Sequence, residues 1–126
     1  MTRFLLATCA LILPTLASAE TLTLYTSQPN EDAQKTVDAF MAAHPDITVE
    51  WVRDGTTKLM ARLGAEIAAG AAQPDVLLIA DTVTLEGMAQ QGQLAAYKSP
   101  EDAAYDPALY SAEGYYHSTK LITTGI

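Results

Sequence analysis

LTLYTSQPNEDAQ, residues 22–34, changes character halfway along. Up to Thr26 it is an apolar run spaced by threonines, the composition of a strand. From Ser27 it turns to small polar residues, a proline and two acids. Two readings compete for that turn. In one, Ser27 to Asn30 only caps the helix that follows. In the other, the turn lies at the carboxyl end of a parallel strand, where open α/β sheets place their ligands. The rest of the chain decides between them, because the second reading requires the unit to repeat.

It does repeat. Thr21 to Thr26 reads as a first strand, after which Ala33, Val37, Phe40 and Met41 recur at helical spacing until His44-Pro45 stops the helix. Ile47 to Val52 alternates into a second strand. Leu59, Leu63 and Ile67, with Met60 beside them, mark a second amphipathic helix that Gly70 ends. The run Asp75-Val76-Leu77-Leu78-Ile79-Ala80 has the continuous apolar pattern of a central parallel strand covered on both faces. A shorter helix is predicted from about Thr82 to Gln91. The stretch from Gly92 to Gly114 is rich in loop signals, and Lys120 to Thr124 reads as a last strand. Strand and helix in alternation predict an α/β fold: a parallel sheet with right-handed crossovers and helices on both faces.

Such a sheet gathers three polar turns along one edge: Thr26-Ser27-Gln28, Arg53-Asp54-Gly55-Thr56 and Ala80-Asp81-Thr82. Taken singly, each has an ordinary structural use. Asn30 and either Asp81 or Thr82 serve as helix N-caps, and Gly55 supplies a positive φ. Taken together they form a crevice where helix N-termini present unpaired amide donors, suited to an anion or an oxygen-rich ligand. The candidate ligand-binding residues are therefore Ser27, Gln28, Gly55, Thr56, Asp81 and Thr82. Asp81 is the one hard metal donor among them.

The first nineteen residues read as an export signal and not as fold. Arg3 precedes an apolar stretch from Phe4 to Leu13, Pro14 breaks it, and Ala17-Ser18-Ala19 is a small-x-small cleavage pattern. The stretch is shorter than the roughly 20 apolar residues a membrane span needs. Cleavage after Ala19 leaves about 107 residues, enough for one small domain, with Glu20 first. It also removes Cys9, so the mature chain builds its core without disulfides. The loss of Arg3 moves the formal charge from -8 to -9. An acidic surface excludes nucleic acid and anionic membrane as expected partners. Nearly half the residues are apolar, so a packed core is expected.

No enzyme signature stands out: there is no GxGxxG, GxxxxGK[ST] or GxSxG, and no cysteine nucleophile once the leader is gone. Glu31 with Asp32, and Glu101 with Asp102, are sequence neighbours and do not face one another as a catalytic pair would. His44 and His117 have no partner at metal-ligand spacing. The reading is a non-enzyme with no cofactor.

Five motifs in order carry a resemblance: Leu-Tyr-Thr-Ser-Gln-Pro at 24–29, His-Pro-Asp-Ile-Thr-Val-Glu at 44–50, Arg-Asp-Gly-Thr at 53–56, Pro-Asp-Val-Leu-Leu-Ile-Ala-Asp at 74–81, and Thr-Lys-Leu-Ile-Thr-Thr-Gly-Ile at 119–126. Together they resemble the N-terminal part of the periplasmic solute-binding proteins of ABC importers, in the branch usually labelled ferric-ion-binding. The resemblance implies two α/β lobes joined by hinge strands, with the solute clamped between them and a membrane permease as partner. It divides this chain into a signal peptide at 1–19, a first lobe at 20–118 and the start of a hinge strand at 119–126, with the second lobe absent. It places Ser27, Gln28, Gly55, Thr56, Asp81 and Thr82 on the cleft turns of the first lobe. Ferric iron is the ligand it implies first, and a phosphonate, sugar phosphate or other small anionic solute is the alternative. Where iron binders of this type often carry a histidine after the first-strand Gln, this chain has Pro29. Tyr115-Tyr116 stands before the hinge, where packing is the commoner role for aromatics. A chain ending at Ile126 is also compatible with a truncated fragment or an interaction module that binds no solute.

The leader generates the first prediction. N-terminal sequencing of the exported product is expected to start at Glu20, and an intact Met1 or a start at Cys9 would refute the assignment.

Overall fold

The structure, a computed structural model, describes residues 20–120. The leader and the predicted strand through residues 121–124 lie outside them. Within them the chain runs β1 (Glu20–Thr26), α1 (Asn30–Ala43), β2 (Ile47–Arg53), α2 (Thr56–Ala68), β3 (Val76–Leu78) and α3 (Thr82–Gln90), followed by two short 3-10 turns at Pro100–Ala104 and Pro107–Leu109. No helix among the described residues is long and apolar enough to cross a membrane.

The three strands form one parallel sheet in the order β2-β1-β3. β1 is in register with β2 along its whole length, from Glu20 opposite Ile47 to Thr26 opposite Arg53. On its other side Leu24, Tyr25 and Thr26 lie opposite Val76, Leu77 and Leu78. The first crossover steps one way to β2 and the second passes back over β1 to β3. Right-handed crossovers in opposite directions put α1 and α2 on opposite faces of the sheet. The chain is thus an α/β lobe, as the alternation predicted.

Side-chain alternation along β1 serves both faces. Leu22 and Leu24 turn to the α1 side, where Leu24, Val37 and Val49 are buried together with Phe40, Met41 and Trp51 packed around them. Tyr25 turns to the other side, fully buried, where Leu59 and Leu63 of α2 are also buried. The Tyr25 hydroxyl donates to Glu66 Oε1 at 2.8 Å. Arg62 both pairs with that same oxygen at 2.8 Å and lies over the Tyr25 ring at 5.0 Å. The Arg62 bond foremost holds the Glu66 carboxyl below its usual range, while burial foremost raises the Tyr25 hydroxyl.

Helix ends follow local chemistry. α1 carries Glu31 and Asp32 in its first turn, suited to the positive end of the helix dipole, and stops before Pro45, which disfavours helical backbone at His44. α2 closes in a Schellman motif: Gly70 takes φ +66, its N–H donates to Ile67 O, and the Ala71 N–H donates to Glu66 O.

The run at 75–80 forms a shorter strand than expected. β3 spans only Val76–Leu78 and, among the described residues, stands beside β1 at the edge of the sheet, with Val76 42% exposed. A continuous apolar run records which faces need cover, not how many strands hydrogen-bond to it. β1, shorter in apolar residues but paired on both sides, is central among the described strands.

Leu59 is 2% exposed and anchors α2 to the sheet. Leu59→Ala is expected to cost about 2–5 kcal/mol through lost burial and the cavity left behind, read as a lower urea midpoint by circular dichroism.

Candidate functional site

Because all three strands are parallel, their carboxyl ends lie side by side, and the first and third are tied together. Thr26, fully buried, donates from Oγ1 to Leu78 O at 3.1 Å and accepts from the Gln28 N–H at 3.2 Å. Ser27 N–H donates to Leu78 O at 3.0 Å, and its hydroxyl accepts from Ala80 N–H at 3.1 Å. Gln28 O accepts from Arg53 Nε at 3.0 Å, so the end of β2 is joined as well.

The turn after β3 is shaped by Asp81, the N-cap of α3. Its carboxylate accepts from the Thr84 N–H at 3.2 Å and from the Thr84 hydroxyl. Those bonds, the hydroxyl's first, hold Asp81 below the usual carboxylate range. The capping use of this residue is therefore observed. Asn30 does not cap α1: Pro29 stands at the cap with no side-chain bond to the helix. Gly55 takes an ordinary φ of -63 and α2 likewise starts without a side-chain cap. Two helices thus begin at the sheet's carboxyl edge with first-turn amides that no capping side chain satisfies.

A crevice of about 330 Å³ opens over the ends of β1 and β3. Ser27, Gln28, Asp81 and Thr82 line it together, as the strand-end turns implied. Gly55 and Thr56, at the turn after β2, do not line it. The buried Gln28 Oε1 has no hydrogen-bond partner, the one such side-chain atom found among the described residues, and an unmatched acceptor of this kind calls for a donor.

The opposite wall comes from Tyr116, His117, Ser118, Thr119 and Lys120, which strand-end reasoning does not reach. A strap of loop holds them there. Gly114 at φ +85 sits so close to Tyr97 that a Cβ would lie 2.5 Å from the Tyr97 carbonyl. His117 bridges Asp102 and the Tyr97 carbonyl, 2.9 Å from each. Tyr116 donates its hydroxyl to Glu86 of α3 at 2.9 Å, and that bond is the main cause raising its pKa. Lys120 reaches Asp32 of α1 at 2.6 Å and keeps the Asp32 carboxyl below its usual range. The only sequence signal for this wall is the cluster of aromatics and a lysine at 115–120.

Among the described residues no three His, Cys, Asp or Glu side chains gather into a group fit for a metal ion. The oxygen donors at the crevice are spoken for in part: Asp81 by Thr84 and Tyr116 by Glu86. What the arrangement offers most freely is hydroxyl and amide hydrogen bonding.

Comparison with known proteins bears on the family and the fold. A family model for bacterial extracellular solute-binding proteins matches residues 26–123. A comparison with curated proteins gave no match. Among solved structures the chain is similar to iron-bound HitA from Pseudomonas aeruginosa, with 26% identity and a TM-score of 0.65. The likeness covers 75% of this chain and 30% of that one, so the chain spans about a third of its structural relative.

Asp81→Ala is expected to lower stability by about 0.5–2 kcal/mol at neutral pH through loss of the cap. The folded-state pKa of Asp81 is depressed, so its contribution is complete above the ordinary Asp range near pH ~3.9 and is lost as pH falls through the lower folded value. The gap in urea midpoint between wild type and variant should therefore narrow on acidification. An unchanged gap across that range would show that the ionised carboxylate is not what stabilises the turn.

Proposed function

The chain belongs to the family of bacterial extracellular solute-binding proteins, and from that membership we propose that it forms the first of two lobes that capture a small solute in the periplasm for an ABC importer. The observation that carries this reading is the crevice at the carboxyl ends of β1 and β3, where Ser27, Gln28, Asp81 and Thr82 meet. Ligands of open α/β sheets bind at this edge. The crevice is open on one side, and well-formed sites enclose roughly 70–90% of a ligand's surface. A second lobe closing over it, at hinge strands starting near residue 119, supplies the rest and gives the permease a closed form to recognise. Gly55 and Thr56, one turn away, contact solute only when it extends toward β2.

Likeness to an iron-bound protein supports ferric ion as the solute. Ferric ion prefers hard, anionic oxygen donors. On this lobe Asp81 is the candidate, with both carboxylate oxygens already accepting from Thr84, so that metal coordination would compete with the cap. The remaining donors then come from the second lobe or from a bound anion. A specific observation favours a second reading, an anionic solute such as a phosphonate or sugar phosphate: α1 starts beside the crevice at Pro29 without a side-chain cap, and such helix ends attract anions. The unpartnered Gln28 Oε1 would accept from a hydroxyl or ammonium group on that solute.

The test is titration of this chain, and of a form continued through a second lobe, with ferric citrate, 2-aminoethylphosphonate and glycerol phosphate, followed by calorimetry and visible absorption. The expected result is tight binding by the two-lobed form, with a visible charge-transfer band for ferric ion. Tight phosphonate binding without a band moves the assignment to the anion. Micromolar or tighter binding by the 126-residue chain alone would overturn the two-lobe mechanism.

A further inference from the structure

The far wall of the crevice carries a histidine whose bonds depend on how many protons it holds. His117 places Nδ1 2.9 Å from Asp102 Oδ1 and Nε2 2.9 Å from the Tyr97 carbonyl. Both partners are acceptors, and a backbone carbonyl has no proton to give. A neutral imidazole has one N–H to donate, so beside an ionised Asp102 it makes one of these bonds and turns a lone pair to the other acceptor. Making both takes one proton more, carried on the ring or on the carboxylate. The ring also stacks on Tyr110, with centroids 6.2 Å apart, and an antiparallel bridge pairs the backbones of the same two residues. The His117 side chain is 28% exposed and that of Asp102 21%, so water replaces a lost bond there only in part. The two bonds span separate segments. Tyr97 and Asp102 belong to the loop and 3-10 turn that precede the strap, whereas His117 belongs to the strap that lines the crevice.

We propose that His117 clamps the far wall of the crevice in a pH-dependent way: doubly protonated, it ties the strap at 115–119 to the loop at 97–102, and loss of one proton gives up one of the two bonds and loosens the wall. The inference rests on the crevice being the solute site and adds its regulation, a wall held in mildly acidic surroundings and slackened in alkaline ones. The sign follows from linkage. The folded strap has a use for the extra proton that the unfolded chain lacks, so the clamp's contribution is complete below the ordinary histidine range near pH ~6.5 and fades as pH rises beyond it. Asp102 is the acid bonded to the ring, and Glu101 on the same 3-10 turn shares a small pocket with it, together with Tyr105 and Tyr110. On the other sides the charged side chains that line the same spaces are Asp75, Asp81 and Lys120. Each is bonded elsewhere: Asp75 accepts from the Thr23 N–H, Asp81 from Thr84, and Lys120 pairs with Asp32. Tyr116, next to His117 in the strap, donates to Glu86. The His117–Asp102 pair is therefore the proton-sensitive joint of this wall.

Exchanging the acid for its amide tests this. Asp102→Asn supplies an N–H where the carboxylate has none, so a neutral ring donates from Nε2 to the Tyr97 carbonyl and accepts at Nδ1, and both bonds survive without the extra proton. His117→Phe keeps the stack on Tyr110 and removes both bonds. The readouts are backbone amide relaxation by NMR at residues 115–119 and urea midpoints, each followed from about pH 5 to about pH 8, the range in which histidine changes charge. The expected result is that residues 115–119 of the wild type become more mobile at the higher pH. The unfolding constant of the wild type relative to His117→Phe is expected to rise roughly threefold to tenfold across the range, the size of one hydrogen bond. In Asp102→Asn the wall is expected to stay equally ordered at both ends. Unchanged mobility of the wild type across the range overturns the proposal. So does a pH response kept intact in Asp102→Asn, which would place the titrating group elsewhere. Should His117→Phe fail to fold, the comparison of wild type with Asp102→Asn decides alone. No readout involves solute, so failure to bind iron or phosphonate would count against the proposed function and leave this result standing.

Discussion

The buried hydroxyl of Thr26 sits where two strands end and a turn begins, and the geometry around the crevice depends on it. It donates to the carbonyl of Leu78 on β3 and receives the N–H of Gln28 in its own turn. A hydroxyl can do both at once, which valine in the same place could not. Because the bond is shielded from water, neither partner can exchange it for solvent without cost. The turn after β1 is thereby fixed against the turn after β3, and Ser27 adds a second tie through Ala80. Ser27, Gln28, Asp81 and Thr82 then share one crevice although 54 positions separate Ser27 from Asp81 in the chain.

The two walls of the crevice differ in how they are held. The sheet-side wall is secured by strand pairing and short polar turns. The far wall is loop, kept in place by a glycine contact at Gly114 with Tyr97, by His117 between two acceptors, and by single side-chain bonds from Tyr116 to α3 and Lys120 to α1. Those last two bonds are part-exposed or exposed and each is worth little alone. This wall is therefore the part of the lobe held most weakly and best able to shift. In this acidic chain Lys120 also brings a positive charge to the crevice rim, balanced by Asp32.

β1 explains how the three described strands hold together. Its Leu22 and Leu24 face α1 while its Tyr25 faces α2, so one strand carries the centre of both half-cores. On the α2 side the core ends in polar chemistry, Tyr25 with Glu66 and Arg62, which satisfies a buried hydroxyl at the boundary with solvent. Among the described residues β3 pairs on one side only, with β1.

The alternation of elements, their parallel arrangement and the polar turns at the strand ends were legible in the sequence because they are local: period-2 and period-3.6 patterns, Pro45 and Gly70 as stops, and short polar residues after each strand state their own conformations. So was the pairing of Ser27 and Gln28 with Asp81 and Thr82, since a parallel sheet brings carboxyl ends to one edge whatever the strand order. Strand order itself was not legible. The apolar run at 75–80 looked central, yet among the described strands β1 takes that place, because hydrophobicity reports burial of faces while neighbours in a sheet are chosen by crossover and register. The exclusion of Gly55 and Thr56 from the crevice follows from the same order, which sets β2 on the side of β1 away from β3. The far wall, with Lys120 on Asp32 across 88 positions, was decided by the tertiary structure alone, because no short-range pattern encodes a contact between a loop and a helix start that distant.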